Sequence, residues 1–238
     1  VVIYEALGKT GGLMRTNIPS FRLPAAVLDE EINYILNMDV DLRLNSPISS
    51  LKSLLEQDYD AVFVGSGAPK GKELELPGRH DTDRIHIGIS WLESVAFGHT
   101  KSIGEKVLII GAGNTAMDCC RSSLRLGGND VKVMARKPRA FFKASDWELE
   151  DAEEERVEIV ECLSPEAFII ENGKLTGMRF SRLEYYDDDN GRMQSRVVEE
   201  VILPCDDVNL PNGQENTFPW IERDIGIEID KWEMPNVD

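Results

Sequence analysis

The chain opens on an apolar and aromatic run, Val1-Val2-Ile3-Tyr4, that ends in Glu5 and is soon broken by Gly11-Gly12. This pattern reads as a strand followed by a turn. Ala25 to Leu36 follows Pro24, and its apolar positions Val27, Ile32, Ile35 and Leu36 fit a helical stripe better than alternation. Val40 to Leu44 is a strand candidate and Ser50 to Gln57 a short helix. The run AVFVGSG, residues 61 to 67, reads as a buried strand ending in small residues, and Ile87 to Phe97 as a helix.

After the polar, glycine-containing stretch from Gly98 to Gly104, the pattern becomes a strand at Lys106 to Ile110, a glycine turn, a helix from about Asn114 to Leu126, and a strand at Val131 to Met134. The two strands are short and almost wholly apolar, as expected where helices cover both faces of a parallel sheet. An acidic helix, about Asp146 to Arg156, leads into a strand at Glu158 to Cys162. Two long strands then follow, Lys174 to Tyr186 and Met193 to Leu203, joined through DDDNGR. Asn190-Gly191 predicts a tight hairpin turn with positive φ at both central residues. The acids there resemble a calcium loop only loosely, because Val198 stands where the last ligand would be, and the plain hairpin is the expectation. A domain boundary is placed near residue 100, with residues 1–100 as one part and 101–238 as the other.

Composition narrows the function. Asp and Glu number 43 against 26 Lys and Arg, a formal charge of −17 that repels a phosphate backbone, so nucleic acid is not the expected partner. No apolar run approaches the roughly 20 residues of a membrane span. The N-terminus carries no basic leader or cleavage site, and the chain reads as one entered in mid-strand. Four cysteines, at 119, 120, 162 and 205, form no CxxC pair and no metal-ligand spacing, which fits a reduced, cytoplasmic setting. The adjacent pair on the helix is expected to be small buried hydrophobes.

The chemistry lies in KVLIIGAGNTAMD. Gly111, Gly113 and Ala116 satisfy G-x-G-x-x-G/A between a predicted strand and a predicted helix. Gly111 permits the tight turn, Gly113 lets backbone approach a pyrophosphate, and Ala116 lets the helix pack closely. The helix start, with Asn114 and Thr115, offers free N–H groups to phosphate oxygens. At the end of the second strand, where an NAD enzyme places a carboxylate for the ribose 2′-hydroxyl, stand Arg136 and Lys137. These are cations suited to a 2′-phosphate, so NADP(H) is expected over NAD(H). They belong to a basic island that also holds Lys132, Arg139 and Lys143, for which a solvated loop is the alternative. Glu5, at the end of the first strand, is a candidate for an adenosine ribose or an ordinary exposed acid.

Together the stretches YEALGKTGGLMRTNIPSFRLP, AVFVGSGAPK, LIIGAGNTAMDCCRSSLRLGG, VKVMARKPR and GQENTFPW resemble the small (beta) subunit of NADPH-dependent glutamate synthase and its relatives, including the nucleotide-binding part of dihydropyrimidine dehydrogenase. The resemblance implies an α/β, Rossmann-like flavoprotein with two dinucleotide-binding domains, an incomplete FAD domain interrupted by an inserted NADPH domain. It implies hydride transfer from NADPH to FAD, then electron transfer to iron–sulfur centres in a large subunit or other acceptor. By position, Glu5 would hold the FAD ribose, Gly12 and Leu13 would lie near the flavin, and Ser66 and Gly67 would lie in the chain crossing beside it. Gly111, Gly113, Asn114, Thr115 and Ala116 would cradle the NADPH pyrophosphate, and Arg136 and Lys137 would take the 2′-phosphate.

Departures from that family accompany the matches. The first FAD glycine motif, the cluster cysteines and the closing flavin segment do not occur, so the chain reads as a fragment. Asn17 replaces a usual glycine, and NLPN, residues 209 to 212, replaces an apolar strand. A proline and two asparagines should weaken a strand there. No side chain is expected to act as acid or base, because the cofactors carry hydride transfer. The rival readings are a thioredoxin-reductase-like enzyme, which would need a CxxC, a nucleotide-binding regulatory or scaffold module without its own catalysis, and a flavin-free dehydrogenase. The last would need a substrate-side His or Lys, and the three histidines all lie outside the strand–helix–strand unit.

Overall fold

A computed structural model describes residues 1–231 and 234–236. The chain divides into two compact units, Val1–Lys70 with Gln214–Asp238, and Gly71–Gly213. The boundary expected near residue 100 therefore lies inside the second unit. The reason is an unexpected strand, Ile85–Ile87, which joins the central sheet of that unit, with the helix after it packed on that sheet.

In the first unit, β1 (Val2–Tyr4) is followed by α1 (Gly12–Thr16), α2 (Ala25–Leu36), β2 (Asp41–Arg43) and α3 (Leu51–Leu55). β1 and β2 pair in parallel, Ile3 opposite Leu42. Leu51, Leu54 and Ile221 form a small buried cluster, packed by Tyr4, Val62, Val64 and Trp220 among others. The expected strand at 61–67 does not form. Val62 and Val64 lean on the cluster, but Phe63 is 95% exposed, and no described strand offers residues 61–67 a hydrogen-bonded ladder. The chain passes between the units through β3 (Lys70–Gly71).

The second unit is built from β4 (Ile85–Ile87), α4 (Gly88–Ala96), β5 (Lys106–Ile110), α5 (Asn114–Arg125), β6 (Asp130–Met134), α6 (Asp146–Glu154), β7 (Glu158–Val160), β8 (Leu163–Glu171), β9 (Lys174–Asp187), β10 (Met193–Pro204) and β11 (Asp207–Leu210), and the chain leaves it through β12 (Gln214–Glu215). Its central sheet is parallel, in the order β4-β11-β5-β6-β7. A second, antiparallel sheet has the order β10-β9-β8.

Strand alternation sorts the core into two layers. Val107 and Ile109 of β5, with Val131 and Val133 of β6, pack under α4, α5 and α6. Leu108, Ile110, Met134, Val208 and Leu210 face the antiparallel sheet through Phe168, Leu175, Met178 and Phe180. Coverage on both sides explains the nearly continuous apolar run in β5. One cover is a sheet rather than helices, which the periodicity alone does not distinguish.

Two further expectations change. The segment 207–210 does form a strand, central and fully buried, despite its polar residues; Asp207 accepts hydrogen bonds from His86 Nε2 at 2.8 Å and Gly104 N at 2.7 Å, and Pro211 lies just beyond the ladder. In the hairpin loop only Gly191 has positive φ, not Asn190. Asp188 Oδ1 accepts from Asn190 N and Arg192 N, both at 2.9 Å, so the carboxylate closes its own turn. Asn17 sits at φ −120°, a conformation open to any residue.

An ion-pair network fixes α5 against α6. Arg121 reaches Asp151 at 2.8 Å and Glu155 at 2.9 Å, and Arg125 reaches Glu155 at 2.6 Å. Glu148, inside the acidic helix, is buried, with Arg121 at 3.7 Å. Hydrogen bonds from Arg125 and then Arg121 hold the Glu155 carboxyl down at about 2, against a burial that raises it. A folded-state value below the unfolded carboxylate value of roughly 4.3 contributes stability above that pH, lost as pH falls toward the folded value. Thermal denaturation between pH of about 5 and about 2 should show a falling Tm. Glu155→Gln should lower Tm at neutral pH and flatten that acid slope.

Asn209 in β11 is fully buried, and neither amide atom has a hydrogen-bond partner among the described residues. An unpaired buried polar group costs about 1–3 kcal/mol. Asn209→Val should therefore raise Tm, by about 2–4 °C for each kcal/mol recovered; a lower Tm would mean that the amide is satisfied in solution.

Candidate functional site

Gly111 leaves β5 at φ +129°, a conformation that side-chain-bearing residues rarely adopt, and its N–H donates to Met134 O at 3.0 Å. Gly113 is the N-cap of α5, with extended backbone, and a Cβ built on it would meet nothing within 4 Å. No side chain caps this helix start and no acid lies in its first turn. The α5 start therefore keeps the positive end of its dipole open to an anion. Asn114 is exposed and Thr115 half-buried, while Ala116 is fully buried, with its N–H on Gly113 O at 2.9 Å.

The next strand brings cations to the same edge of the sheet. Ile110 pairs with Met134, so Arg136 lies two residues beyond the register partner of the last β5 residue. Neighbouring strands run about 4.8 Å apart, a separation one dinucleotide spans easily. The structure sorts the basic island. Lys132 is tied to Asp130 and Glu158, both at 2.6 Å, and Arg139 to Glu153 at 2.5 Å. Arg136 and Lys137 are exposed and have no carboxylate partner among the described residues; Lys137 Nζ sits 5.6 Å from the Phe141 ring centre. Tyr185 Oη donates to Arg136 O at 2.8 Å and steadies this loop from the hairpin.

A contact that the sequence signals only in part joins the loop after β6 to the glycine turn. Lys143 N and Ala144 N donate to Ala112 O at 3.0 and 3.1 Å, and Ser145 N donates to Asn114 Oδ1 at 3.0 Å. The exposed Lys143 is thereby anchored beside the turn. The signal was partly present, since Lys143 belongs to the basic island, but backbone contacts leave no mark in residue type.

The residues singled out near the start lie in the other unit. Glu5 follows β1, is half-buried, and its Oε1 accepts from Leu7 N at 2.8 Å. Gly12, at φ +48°, opens α1, and Leu13 beside it is 37% exposed. Ser66 and Gly67 lie in the exposed, non-strand segment, Gly67 at φ +69°.

A family model described as pyridine nucleotide-disulphide oxidoreductase matches residues 26–238. The chain belongs to this family. Among its relatives, the NADPH-Fe(3+) oxidoreductase subunit beta of Geobacter sulfurreducens is 33% identical over 97% of this chain and 36% of that protein. The glutamate synthase [NADPH] small chain of Halomonas elongata is 31% identical over 97% of this chain and 52% of that protein. The chain thus spans between a third and a half of these relatives' length. The structure of Mycobacterium tuberculosis FprA in complex with NADPH superposes with a TM-score of 0.80, covering 99% of this chain and 68% of that one. At 16% identity this likeness is one of fold, and it bears out the Rossmann-like α/β architecture. No helix among the described residues is long and apolar enough to cross a membrane.

Membership in a disulphide-oxidoreductase family makes the thiols informative. Burial pushes Cys119 well above the ordinary thiol range, and Cys120 and Cys205 up to about 12. Cys119 and Cys120 sit on α5 inside the core, so this member of the family carries no exposed dithiol there. Cys162 is half-buried. Titration of the native protein with a chromogenic disulfide near pH 8 should modify Cys162 first. The other three cysteines should react only on unfolding; rapid reaction of Cys119 or Cys120 in the native state would contradict their burial.

Proposed function

We propose that this chain is part of an NADPH-dependent flavin oxidoreductase, with the unit Gly71–Gly213 as its NADP(H)-binding domain and the unit opening at Val1 as part of its FAD domain. The observation that carries this reading is the pairing, on adjacent strands, of an uncapped helix start behind Gly111 and Gly113 with two cations that have no carboxylate partner among the described residues, Arg136 and Lys137. The names of the relatives, an NADPH-Fe(3+) oxidoreductase subunit and an NADPH glutamate synthase chain, support the same choice of nucleotide.

In this reading the N–H groups at Asn114 and Thr115 meet the diphosphate, Gly113 leaves room for it to approach, and Ala116, its own N–H on Gly113 O, lets the helix pack closely behind the turn. Arg136, through its fork of donors, and Lys137, as a point charge, bind the 2′-phosphate. Glu5 binds the FAD ribose, with Gly12, Leu13, Ser66 and Gly67 as further flavin-side positions. NADPH and FAD, when bound, supply the hydride chemistry. The chain's residues bind and orient them and hold no proton for the step. The electrons pass on to iron–sulfur centres of a partner subunit, a role supported by relatives that are themselves named as subunits or chains of larger enzymes.

Calorimetry on this protein with NADPH and NADH tests the assignment. NADPH should bind about 10- to 100-fold more tightly, the worth of one charge-assisted contact or a little more. Arg136→Ala should reduce the preference to a few-fold while leaving NADH affinity nearly unchanged. Equal affinities in the unaltered protein would remove the 2′-phosphate assignment.

A further inference from the structure

Arg136 and Lys137 can act on one phosphate only if the peptide joining them keeps a fixed orientation. A peptide unit is planar, so its orientation sets how the two flanking side chains leave the backbone. The chain on either side is anchored. Just before the cations, Ala135 N donates to Val160 O at 2.8 Å and Ala135 O accepts from Leu163 N at 3.0 Å, which holds the loop to β7 and β8. Just after them, Pro138 sits at φ −58°, and its ring restricts Lys137 to extended backbone. Beyond the proline, the Glu161 carboxylate accepts from Arg139 N. Between these anchors lies the exposed Arg136–Lys137 peptide, and its oxygen accepts from Tyr185 Oη at 2.8 Å.

The donor comes from an arm of the antiparallel sheet. β9 keeps its partner β8 as far as Arg182, opposite Leu163; beyond that point, Leu183 to Asp187 pair with β10 alone among the described strands. Leu183 N donates to Cys162 O at 2.8 Å, which ties the root of the arm to the β7–β8 junction. Strand alternation then sorts its side chains. Leu183 and Tyr185 are half-buried, whereas Glu184 and Tyr186 are exposed, Glu184 paired with Arg196 at 2.7 Å. Burial raises the Tyr185 hydroxyl above the ordinary tyrosine range, against the nearby Arg136 charge, so it stays protonated and able to donate at neutral pH.

We propose that Tyr185 is a positioning residue for nucleotide choice: its hydroxyl holds the Arg136–Lys137 peptide so that both cations meet one 2′-phosphate, and the preference for NADPH over NADH depends on it. The proposal rests on the nucleotide reading above and adds to it a residue from outside the strand–helix–strand unit. NADH lacks the 2′-phosphate, makes no use of the two cations and is indifferent to the arm.

Calorimetric titration of the whole chain with NADPH and NADH tests it. Tyr185→Phe keeps the ring and removes the donor. It should weaken NADPH about 3- to 10-fold, the worth of one net hydrogen bond, and leave NADH within about twofold. Tyr186→Phe, the same change at the exposed neighbour, should leave both affinities within about twofold. In an Arg136→Ala background, Tyr185→Phe should cost NADPH no more than about twofold further, because the group it positions is gone. Equal weakening of both nucleotides, unchanged NADPH affinity, or a full effect in the absence of Arg136 overturns the role of Tyr185 while the nucleotide site stands. Equal binding of NADPH and NADH before any substitution overturns the 2′-phosphate reading, and this proposal with it.

Discussion

Gly111 turns the chain off β5 at φ +129°, and most of the candidate site follows from that one conformation. A residue with a Cβ would be strained there, and a different turn would aim the first amides of α5 elsewhere. With it, Gly113 faces open space, Ala116 packs into the core, and the helix start is left uncapped. Helix ends normally satisfy their amides with a side chain, water or a ligand. The absence of a side-chain cap at this start is what makes an anion the natural complement.

The electrostatics work by subtraction. A protein of formal charge −17 would repel a phosphate-rich ligand at most surfaces. The structure neutralises many of its own cations, binding Arg121 and Arg125 to Glu155, Lys132 to Asp130 and Glu158, and Arg139 to Glu153. Among the described residues, Arg136 and Lys137 are left without such partners beside the glycine turn. The ion pairs also lock α5 to α6, so the residues that leave the site its cations also steady the helix on which the site depends.

Polar residues in the β11 strand have separate roles. Asp207 clips β11 to β4 and to the chain before β5 through His86 and Gly104. Asn209 is buried without a partner, a cost carried by a central strand whose neighbours pair on both sides. From composition these residues looked like a weakened strand. In place they divide into a clip and an amide without a described partner.

The sequence by itself determined the strand–helix–strand unit, because short apolar runs, G-x-G-x-x-A spacing and a helical stripe are local patterns with local causes. It also determined the identity of the cations after β6, and the α/β class that the family match and fold likeness bear out. Tertiary structure decided the rest. Residues 61–67 have a strand's composition yet no described partner strand, so they stay outside any ladder, while Ile85–Ile87 and Asp207–Leu210 became strands because a sheet edge and a gap between two strands were available to them. Which island residues stay free of carboxylates, and which loop closes on Ala112 and Asn114, depended on groups far apart in the chain. Pairing and ion-pair choice are properties of distant neighbours, and residue type alone does not encode who those neighbours will be.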